Sequence, residues 1–276
     1  DLSEGTQKNL PKNLRKKLIK KKIQDLEKIN TKKLSGIFHL AAQASVPLSL
    51  EKFYKSTSNN LLSTMKVFEI SKKYQAPIVY ASSSAIYGNL SLGNDQIKKF
   101  SILSPYAQDK LTMENYAQMS FKIFRISSVG LRLFNVYGPG QNPNGPYAAV
   151  IPIFINRMLK NLSVTINGGY QTRDFIFVED VVDVMKRSMK KIQKRKVCKY
   201  FNLGTGKSVK INVLFNLIRK IIGANPRLIR KRLEKHDPKR SLGTLNAMSS
   251  FLNINKKNFI KIENGLIKTI KHIRGV

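Results

Sequence analysis

Two side chains in the segment SPYAQDK, residues 104–110, have the chemistry to move a proton. Tyr106 and Lys110 lie four residues apart, and Ser104 followed by Pro105 predicts that a helix begins there. Side chains at this spacing share one face of a helix, so the phenol and the ammonium can lie close together. An ionised phenol can take a proton from a substrate hydroxyl while a hydride leaves the same carbon. A neighbouring ammonium favours that ionisation by lowering the phenol pKa from about 10 by on the order of three units. The alternative is that Tyr106 packs in the core and Lys110 is solvated.

A run of serines predicts where the substrate hydroxyl would be held. The segment YASSSAIYG, residues 80–88, is interpreted as a buried strand that runs into Ser82, Ser83 and Ser84. Open parallel sheets place their ligands at the carboxyl ends of the strands, so a hydroxyl, a phenol and an ammonium could converge there. The alternative is an ordinary turn at the end of a strand.

These side chains need a parallel sheet to position them. Short apolar runs at 36–40, 78–81 and 129–133 predict buried strands, and apolar residues at helical spacing predict helices over 61–74 and 105–118. Strands that alternate with helices predict an α/β fold with a parallel sheet. The alternation loosens after YGPG at 137–140, where proline, asparagine and glycine cluster, so we predict that a second, smaller region begins at residue 138.

Composition excludes several classes of protein. The chain has 276 residues, of which 42% are hydrophobic, and its nine-residue apolar run at 147–155 is far shorter than the roughly 20 residues that span a membrane. The single cysteine, Cys198, excludes an intrachain disulfide and a cysteine-cluster zinc site, so we expect a cytoplasmic location, no membrane partner and no metal. The formal net charge of +34 comes mostly from dispersed lysines, which is typical of solvated faces, and we expect no nucleic-acid partner. A non-catalytic basic binding protein is the alternative of another class.

Six strings occur in order along the chain: FHLAAQASV, YASSSAIYGN, SPYAQDK, GLRLFNVYGPGQ, TRDFIFVEDV and FNLGTG. Together they resemble the extended short-chain dehydrogenase/reductase family, and within it the epimerases of the UDP-glucose and UDP-N-acetylglucosamine 4-epimerase type. The resemblance implies a Rossmann-like doubly wound parallel sheet without its first strand-helix unit. It also implies an NAD-binding domain over residues 1–137 and a smaller C-terminal region over 138–276 that binds the nucleotide sugar, with some segments returning to the sheet.

The resemblance implies roles for individual residues. Tyr106 would be the catalytic base, Lys110 its electrostatic partner and a ligand of the nicotinamide ribose, and Ser83 the hydroxyl that holds the sugar oxygen. The implied NAD-binding residues are Ala41, Ala42, Gln43, Asn60, Ser82, Tyr106, Lys110 and Phe134. The implied residues that bind the UDP-sugar are Ser83, Ser84, Asn135, Arg173, Asp237 and Ser241. Arginine suits the diphosphate because its planar group can donate two parallel hydrogen bonds to phosphate oxygens.

The implied reaction inverts carbon 4 of a UDP-hexose or a UDP-N-acetylhexosamine. Tyr106 takes the proton of the 4-hydroxyl, NAD takes the hydride, and the hydride returns to the opposite face of the 4-keto sugar. The family's dehydratases carry Asp-Glu after the strand end, where this sequence has Ser84-Ala85, so epimerisation is favoured over 4,6-dehydration, which is the alternative. The small Ser241 at the substrate gate favours N-acetylated sugars as well, and the family's bundle of helices after Asn60 and Pro105 implies a homodimer.

The sequence also departs from the family pattern. The family begins with a strand and a GxxGxxG turn that holds the pyrophosphate at a helix N-terminus, and the match here starts at Asp1, after that segment. We therefore expect a fragment that binds NAD weakly or not at all. Where the family places an arginine three residues before Asp237, this chain has Glu234, so Arg232 or Arg240 would have to supply that contact.

Overall fold

The computed structural model describes residues 2, 5–27, 29, 31–145, 148–234 and 237–275. Parts of two sequence-based predictions fall outside these residues: most of the opening turn at 1–5, and two positions of the loop and apolar run near 146–147. In the described part of the chain no helix is both long enough and apolar enough to cross a membrane.

Strands and helices alternate through the first half of the described chain. The strands are β1 (Ile37–His39), β2 (Ile78–Ser83), β3 (Ser128–Leu133), β4 (Asn135–Tyr137), β5 (Val164–Asn167), β6 (Thr172–Phe177), β7 (Cys198–Leu203), β8 (Ser208–Lys210) and β9 (Leu228–Lys231). The helices are α1 (Lys12–Arg15), α2 (Val46–Glu51), α3 (Phe53–Tyr74), α4 (Pro105–Phe124), α5 (Val150–Leu159), α6 (Val178–Ile192), α7 (Ile211–Ile222), α8 (Asn246–Leu252) and α9 (Ile262–Arg274). Short 3-10 turns occur at Gln7–Asn9, Ile23–Asp25, Ser84–Tyr87 and Lys256–Asn258.

A four-stranded parallel sheet carries the serine motif at the carboxyl end of one of its strands. Its order is β1-β2-β3-β7, and every neighbouring pair is parallel, which confirms the predicted α/β fold with a parallel sheet. Ser83, Leu133 and Leu203 pair in register across the last three strands, so the segments that follow these residues meet at one edge. The runs 78–81 in β2 and 129–131 in β3 carry no charged or serine side chain, as expected of strands that are buried on both faces.

Two helices pack side by side against this sheet, and one of them differs from its prediction. Helix α4 begins as predicted, because the Ser104 hydroxyl accepts a hydrogen bond from the Ala107 amide and Pro105 occupies the first turn. Helix α3 begins eight residues before the predicted start at residue 61. Its first turns bury small polar side chains, Ser56 and Asn60 among them, instead of an apolar stripe. Apolar periodicity therefore could not reveal them.

The remaining elements build a second layer of smaller sheets. Strands β4, β6 and β8 form one sheet, and β5 pairs with β9 in another. Helices α5, α7 and α9 enclose an apolar core with these sheets, to which Phe154, Phe177 and Leu214 belong. Strand β4 follows β3 after one residue, Phe134, so the second layer begins directly at the carboxyl edge of the four-stranded sheet. Strand β7 then returns to that sheet beside β3.

Candidate active site

Tyr106, Ser83 and Lys110 lie together at the carboxyl edge of the four-stranded sheet. Tyr106 stands on the first turn of α4, and its phenol interacts with the hydroxyl of Ser83, the last residue of β2. The Lys110 Nζ lies 5.7 Å from the centre of the Tyr106 ring and donates a hydrogen bond of 2.7 Å to the Ala81 carbonyl oxygen. Tyr106 is 8% exposed and Lys110 is 3% exposed, so the group of three is almost closed to water.

Burial sets the protonation of this group in a way that the sequence did not predict. Burial raises the pKa of the Tyr106 phenol, the Ser83 hydroxyl acts to lower it, and the charge of Asp109 acts to raise it. Burial lowers the pKa of Lys110 to about 8, against the opposing charge of Asp109. The expectation that Lys110 lowers the phenol pKa by about three units is therefore wrong for these residues alone, because desolvation dominates both groups.

The turn after β1 is held by one buried asparagine. Ala41 is exposed and Ala42 half-buried, so the small side chains leave the backbone of this turn accessible. The Gln43 amide donates to Asn60 Oδ1 at 2.7 Å, and Asn60 Nδ2 donates to the Gln43 carbonyl oxygen at 3.1 Å. Asn60 is fully buried, and these hydrogen bonds hold the turn. The sequence predicted a different role for Asn60, a direct contact with NAD.

The three serines at the end of β2 do not act alike. Ser82 donates a hydrogen bond of 2.6 Å to Glu114 Oε1, four residues along α4 from Lys110, so its hydroxyl is engaged there and not with Tyr106. Ser83 caps the following 3-10 turn, because its hydroxyl accepts from the Ala85 amide at 3.1 Å. Ser84 begins that turn and is half-buried. Of the three, Ser83 is the one that the structure brings to the phenol.

Two of the predicted UDP-sugar residues, Asn135 and Arg173, lie on the second layer, and Phe134, which was predicted to bind NAD, directly precedes it. Phe134 is buried and stacks on Tyr87, with 6.5 Å between the ring centres, and Asn135 opens β4 beside it. Arg173 lies on β6, to which β4 is paired, so both arise from the same small sheet. This side of the site is continuous with the carboxyl edge, because Phe134 donates its backbone amide to the Leu203 carbonyl oxygen at 3.0 Å.

Arg173 already has a carboxylate partner. Its NH2 group forms an ion pair with Asp237, and its NH1 group donates to the Thr172 carbonyl oxygen at 2.8 Å. Arg173 is buried and Asp237 is half-buried, as is Ser241. The pairing of two predicted substrate residues was not foreseen, and further N–H donors of the guanidinium remain for a ligand. The predicted substitutes Arg232 and Arg240 are both exposed.

Sequence reasoning missed two titratable residues next to the group of three. Asp109 is 2% exposed and accepts a hydrogen bond of 3.0 Å from Asn60 Nδ2. His39, in β1, is buried; its Nε2 lies 3.2 Å from Thr64 Oγ1, and its Nδ1 has no hydrogen-bond partner among the described residues. Asp109 stands within SPYAQDK three residues after Tyr106, so helical spacing alone places it near the same face.

Burial, helped by the charge of Lys110, lowers the pKa of His39 to about 4, so this side chain is neutral at pH 7. Because Thr64 Oγ1 donates its own proton to the Asn60 carbonyl oxygen at 2.7 Å, the His39 proton belongs on Nε2. The ring therefore keeps an unused acceptor, Nδ1, in a buried position next to the site.

Known proteins are similar to this chain over most of its length. A putative UDP-glucose 4-epimerase from Methanocaldococcus jannaschii is 39% identical over 203 residues, which are 71% of this chain and 64% of that protein. UDP-N-acetylglucosamine 4-epimerase from Methanobrevibacter ruminantium M1, solved in complex with UDP-N-acetylmuramic acid, has a TM-score of 0.89 at 32% identity over 99% of this chain and 88% of its own. UDP-glucose 4-epimerase from Thermus thermophilus in complex with NAD has a TM-score of 0.78 at 27% identity, over 88% of this chain and 78% of its own.

The match thus spans just under two thirds of the length of the Methanocaldococcus relative. Residues 3–204 also match the family described as NAD dependent epimerase/dehydratase family. These residues include β1 to β4, β7 and the Ser83, Tyr106 and Lys110 group. On this extent of agreement, the chain belongs to the NAD-dependent epimerase/dehydratase family.

Proposed function

We propose that this protein is an NAD-dependent UDP-sugar 4-epimerase that works through a transient 4-keto sugar. The observation that carries the proposal is the convergence of the Tyr106 phenol, the Ser83 hydroxyl and the Lys110 ammonium at the carboxyl edge of a parallel sheet. Open α/β sheets bind their ligands at that edge. A phenol that can accept a proton, next to a hydroxyl that can hold the substrate oxygen, suits an alcohol that is oxidised and then reduced at the same carbon.

The residues on one side of this group fit a dinucleotide. Lys110 uses one of its three N–H donors on the Ala81 carbonyl oxygen, and no described carboxylate lies within ion-pair distance of it, so it has donors left for ribose hydroxyls. Ala41 and Ala42 let a phosphate approach the backbone of the turn that Asn60 holds. NAD, when bound, would supply reversible hydride acceptance next to the sugar and a positive ring that favours the ionised phenol.

Tyr106 then takes the proton of the 4-hydroxyl and later returns it. Ser83 holds the sugar oxygen in line with the phenol, since its hydroxyl already faces that group. Because Tyr106 and Ser83 are buried, water is excluded, and the proton passes directly between the sugar hydroxyl and the phenol. Because burial raises the pKa of Tyr106, the activity should increase as the pH rises above neutral.

We assign NAD binding to residues 1–137 and sugar-nucleotide binding to 138–276. Arg173 would bind the diphosphate with the N–H donors that Asp237 and Thr172 leave unused. Asn135 lies on the strand paired with that of Arg173, which suits a second contact to the same phosphates. Ser241 is small, so the proposed gate leaves room for an N-acetyl group.

The chain favours epimerisation over dehydration. A dehydratase needs an acid and a base at the neighbouring sugar carbons, and the positions after Ser83 are Ser84 and Ala85. Asp109 is the carboxylate whose charge acts on Tyr106, and its oxygen faces Asn60 of α3 instead of the Ser83 side. A 4-keto-6-deoxy product would favour the second candidate function, a 4,6-dehydratase.

The test is turnover by the purified protein with NAD and UDP-N-acetylglucosamine, followed by separation of the two epimers. We expect the 4-epimer to form, and Tyr106→Phe to slow it by at least about 100-fold, because acid–base catalysis contributes about 10²–10⁴-fold. Tyr170→Phe is the matched control, since Tyr170 is 78% exposed, and it should keep full activity. Equal rates for both variants, or no epimer from any UDP-sugar, would contradict the proposal.

We also propose that the protein is a homodimer that pairs α3 and α4 of both subunits. Large apolar side chains stand exposed on these adjacent helices, with Tyr54 at 84% and Ile123 at 64%. Leu62 and Met65 continue the stripe on α3 and Met119 on α4, at helical spacing. Light scattering should give twice the chain mass. Ile123→Glu should halve it, and Val213→Glu on α7, an equally apolar exposed position, should not.

A further inference from the structure

Asp109 links the helix of Tyr106 and Lys110 to the turn after β1. Its carboxylate is buried inside the packed pair α3 and α4, and no described cation lies within ion-pair distance of it. Burial raises the pKa of Asp109 above its ordinary value, although its side-chain hydrogen bonds, that from Asn60 among them, and the charge of Lys110 act to lower it. A carboxylate in such a place costs free energy, so its position calls for a task that a neutral residue would not perform.

The hydrogen bonds of Asn60 show what that task could be. Asn60 Nδ2 donates both to Asp109 Oδ2 at 3.0 Å and to the Gln43 carbonyl oxygen at 3.1 Å. Its Oδ1 accepts from the Gln43 amide at 2.7 Å. An ionised carboxylate only accepts hydrogen bonds, so Asp109 can face the Nδ2 side of Asn60 and not the Oδ1 side. The carboxylate thereby selects the orientation of Asn60 that also fits both backbone groups of Gln43.

The same carboxylate acts on Lys110. The titratable groups that face the Lys110 ammonium are Asp109 and Tyr106 on its own helix and His39 on β1. His39 is neutral at pH 7, because its pKa is about 4, and burial keeps Tyr106 neutral by raising its pKa. Asp109 is therefore the anionic group that opposes the effect of burial on Lys110.

We propose that Asp109 is a positioning residue of this site: through Asn60 its buried carboxylate sets the turn at Gln43 against the helix that carries Tyr106. The inference rests on the proposed function for its purpose, but the hydrogen bonds that join Asp109, Asn60 and Gln43 exist without any ligand. It assigns the alignment of the turn with the proton-transfer helix to one buried acid.

The test measures the turn at Gln43 by NMR on the protein without ligand. In Asp109→Asn the amide hydrogen of Gln43 should exchange at least about tenfold faster, because Asn60 loses the carboxylate that accepts from its Nδ2 group. Glu69→Gln neutralises an exposed carboxylate on α3 and should not change this exchange rate.

An unchanged Gln43 exchange rate in a folded Asp109→Asn protein overturns the inference. If that variant and Asp109→Ser both fail to fold, the unsubstituted protein decides. The protection factor of its Gln43 amide should then fall at the pH where the Asp109 carboxyl signal titrates, and an unchanged protection factor across that pH contradicts the proposal.

A failure of the proposed function is distinguishable, because it leaves the unsubstituted protein inactive with every UDP-sugar and does not alter the Gln43 exchange rate. In an active protein, Asp109→Asn should shift the pH–rate profile as well as lower the rate. A purely structural role would lower the rate without that shift.

Discussion

Two clusters of buried polar side chains each include residues of helix α4, and they differ in how many of their polar groups have hydrogen-bond partners. One consists of Glu114 and Arg132 with their neighbours, and we call it the arginine cluster. The other consists of Tyr106, Lys110 and His39, and we call it the lysine cluster. Both are closed to water, but their hydrogen bonding differs.

In the arginine cluster, the two charged groups bind each other. Arg132 donates to both carboxylate oxygens of Glu114, at 2.9 and 2.6 Å, and to the Tyr87 hydroxyl at 2.7 Å. Ser82 donates to the same carboxylate, and the Tyr200 ring lies 4.3 Å from the guanidinium carbon. Burial acts to lower the pKa of Arg132, but Glu114 outweighs it, and the net shift is upward. The buried Tyr80 hydroxyl, on which the charges of Glu114 and Arg132 act, is the exception, since it has no hydrogen-bond partner among the described residues.

In the lysine cluster, both nitrogen bases have hydrogen-bonding capacity left over. Lys110 has one acceptor, the Ala81 carbonyl oxygen, and His39 Nδ1 has none among the described residues. Burial lowers the pKa of both bases. Buried polar groups in proteins are normally satisfied, and unsatisfied or pKa-shifted ones concentrate where a ligand binds. This is the difference expected between a cluster that stabilises the fold and the ligand-binding cluster that we propose.

The largest expected effect breaks the arginine cluster. Glu114→Gln leaves a buried guanidinium without its counter-charge, so the free energy of unfolding should fall by about 3–5 kcal/mol. Urea unfolding measures it. Asp183→Asn removes a carboxylate that pairs with Arg187 at 2.7 Å on the exposed face of α6, and it should leave the unfolding midpoint unchanged. Equal losses in the two variants would show that burial of the pair contributes nothing.

Acid should weaken the lysine cluster through His39. Its pKa is about 4 in the folded protein and 6.5 in the unfolded chain, so the unfolded state binds the extra proton between these values. Stability contributed by neutral His39 is fully present above pH 6.5 and is lost as the pH falls through 4, by up to about 3 kcal/mol. His39→Phe should flatten this part of the stability curve. His272→Asn, which changes an exposed histidine, should not, and a parallel loss in both variants would exclude His39 as the cause.

The smallest effect has the opposite sign. Lys110→Met should make the protein more stable at pH 7, by on the order of 1–3 kcal/mol, because it removes a buried ammonium whose pKa is lowered from 10.5 to about 8. As the pH rises from 8 to 10.5 only the unfolded state keeps the lysine proton, so the unsubstituted protein gains stability and the difference shrinks. Unfolding curves at pH 7 and 10 test this, with Lys186→Met on the exposed face of α6 as the control. A less stable Lys110→Met protein at pH 7 would show that Lys110 supports the fold.

Short-range patterns predicted the elements that hold the site and missed those built from small polar residues. The strands at 78–83 and 128–133 each contain a short run without charged or serine side chains, at 78–81 and 129–131, and these runs were readable from the sequence. The start of α3 was not, because Ser56 and Asn60 fill the narrow space against α4, and burial of polar groups leaves no apolar period. The same reason hid Asp109, whose burial depends on a partner 49 residues away in the sequence.

Spacing along the chain was sufficient for the fold class, for the common helical face of Tyr106 and Lys110, and for the meeting of strand ends, since each follows from a local period or a single turn. Only the tertiary structure decided the protonation of these groups, the pairing of Arg173 with Asp237 and the hydrogen bond from Asn60 to Asp109. Desolvation and long-range hydrogen bonds set them, and both depend on which distant segments close around a side chain.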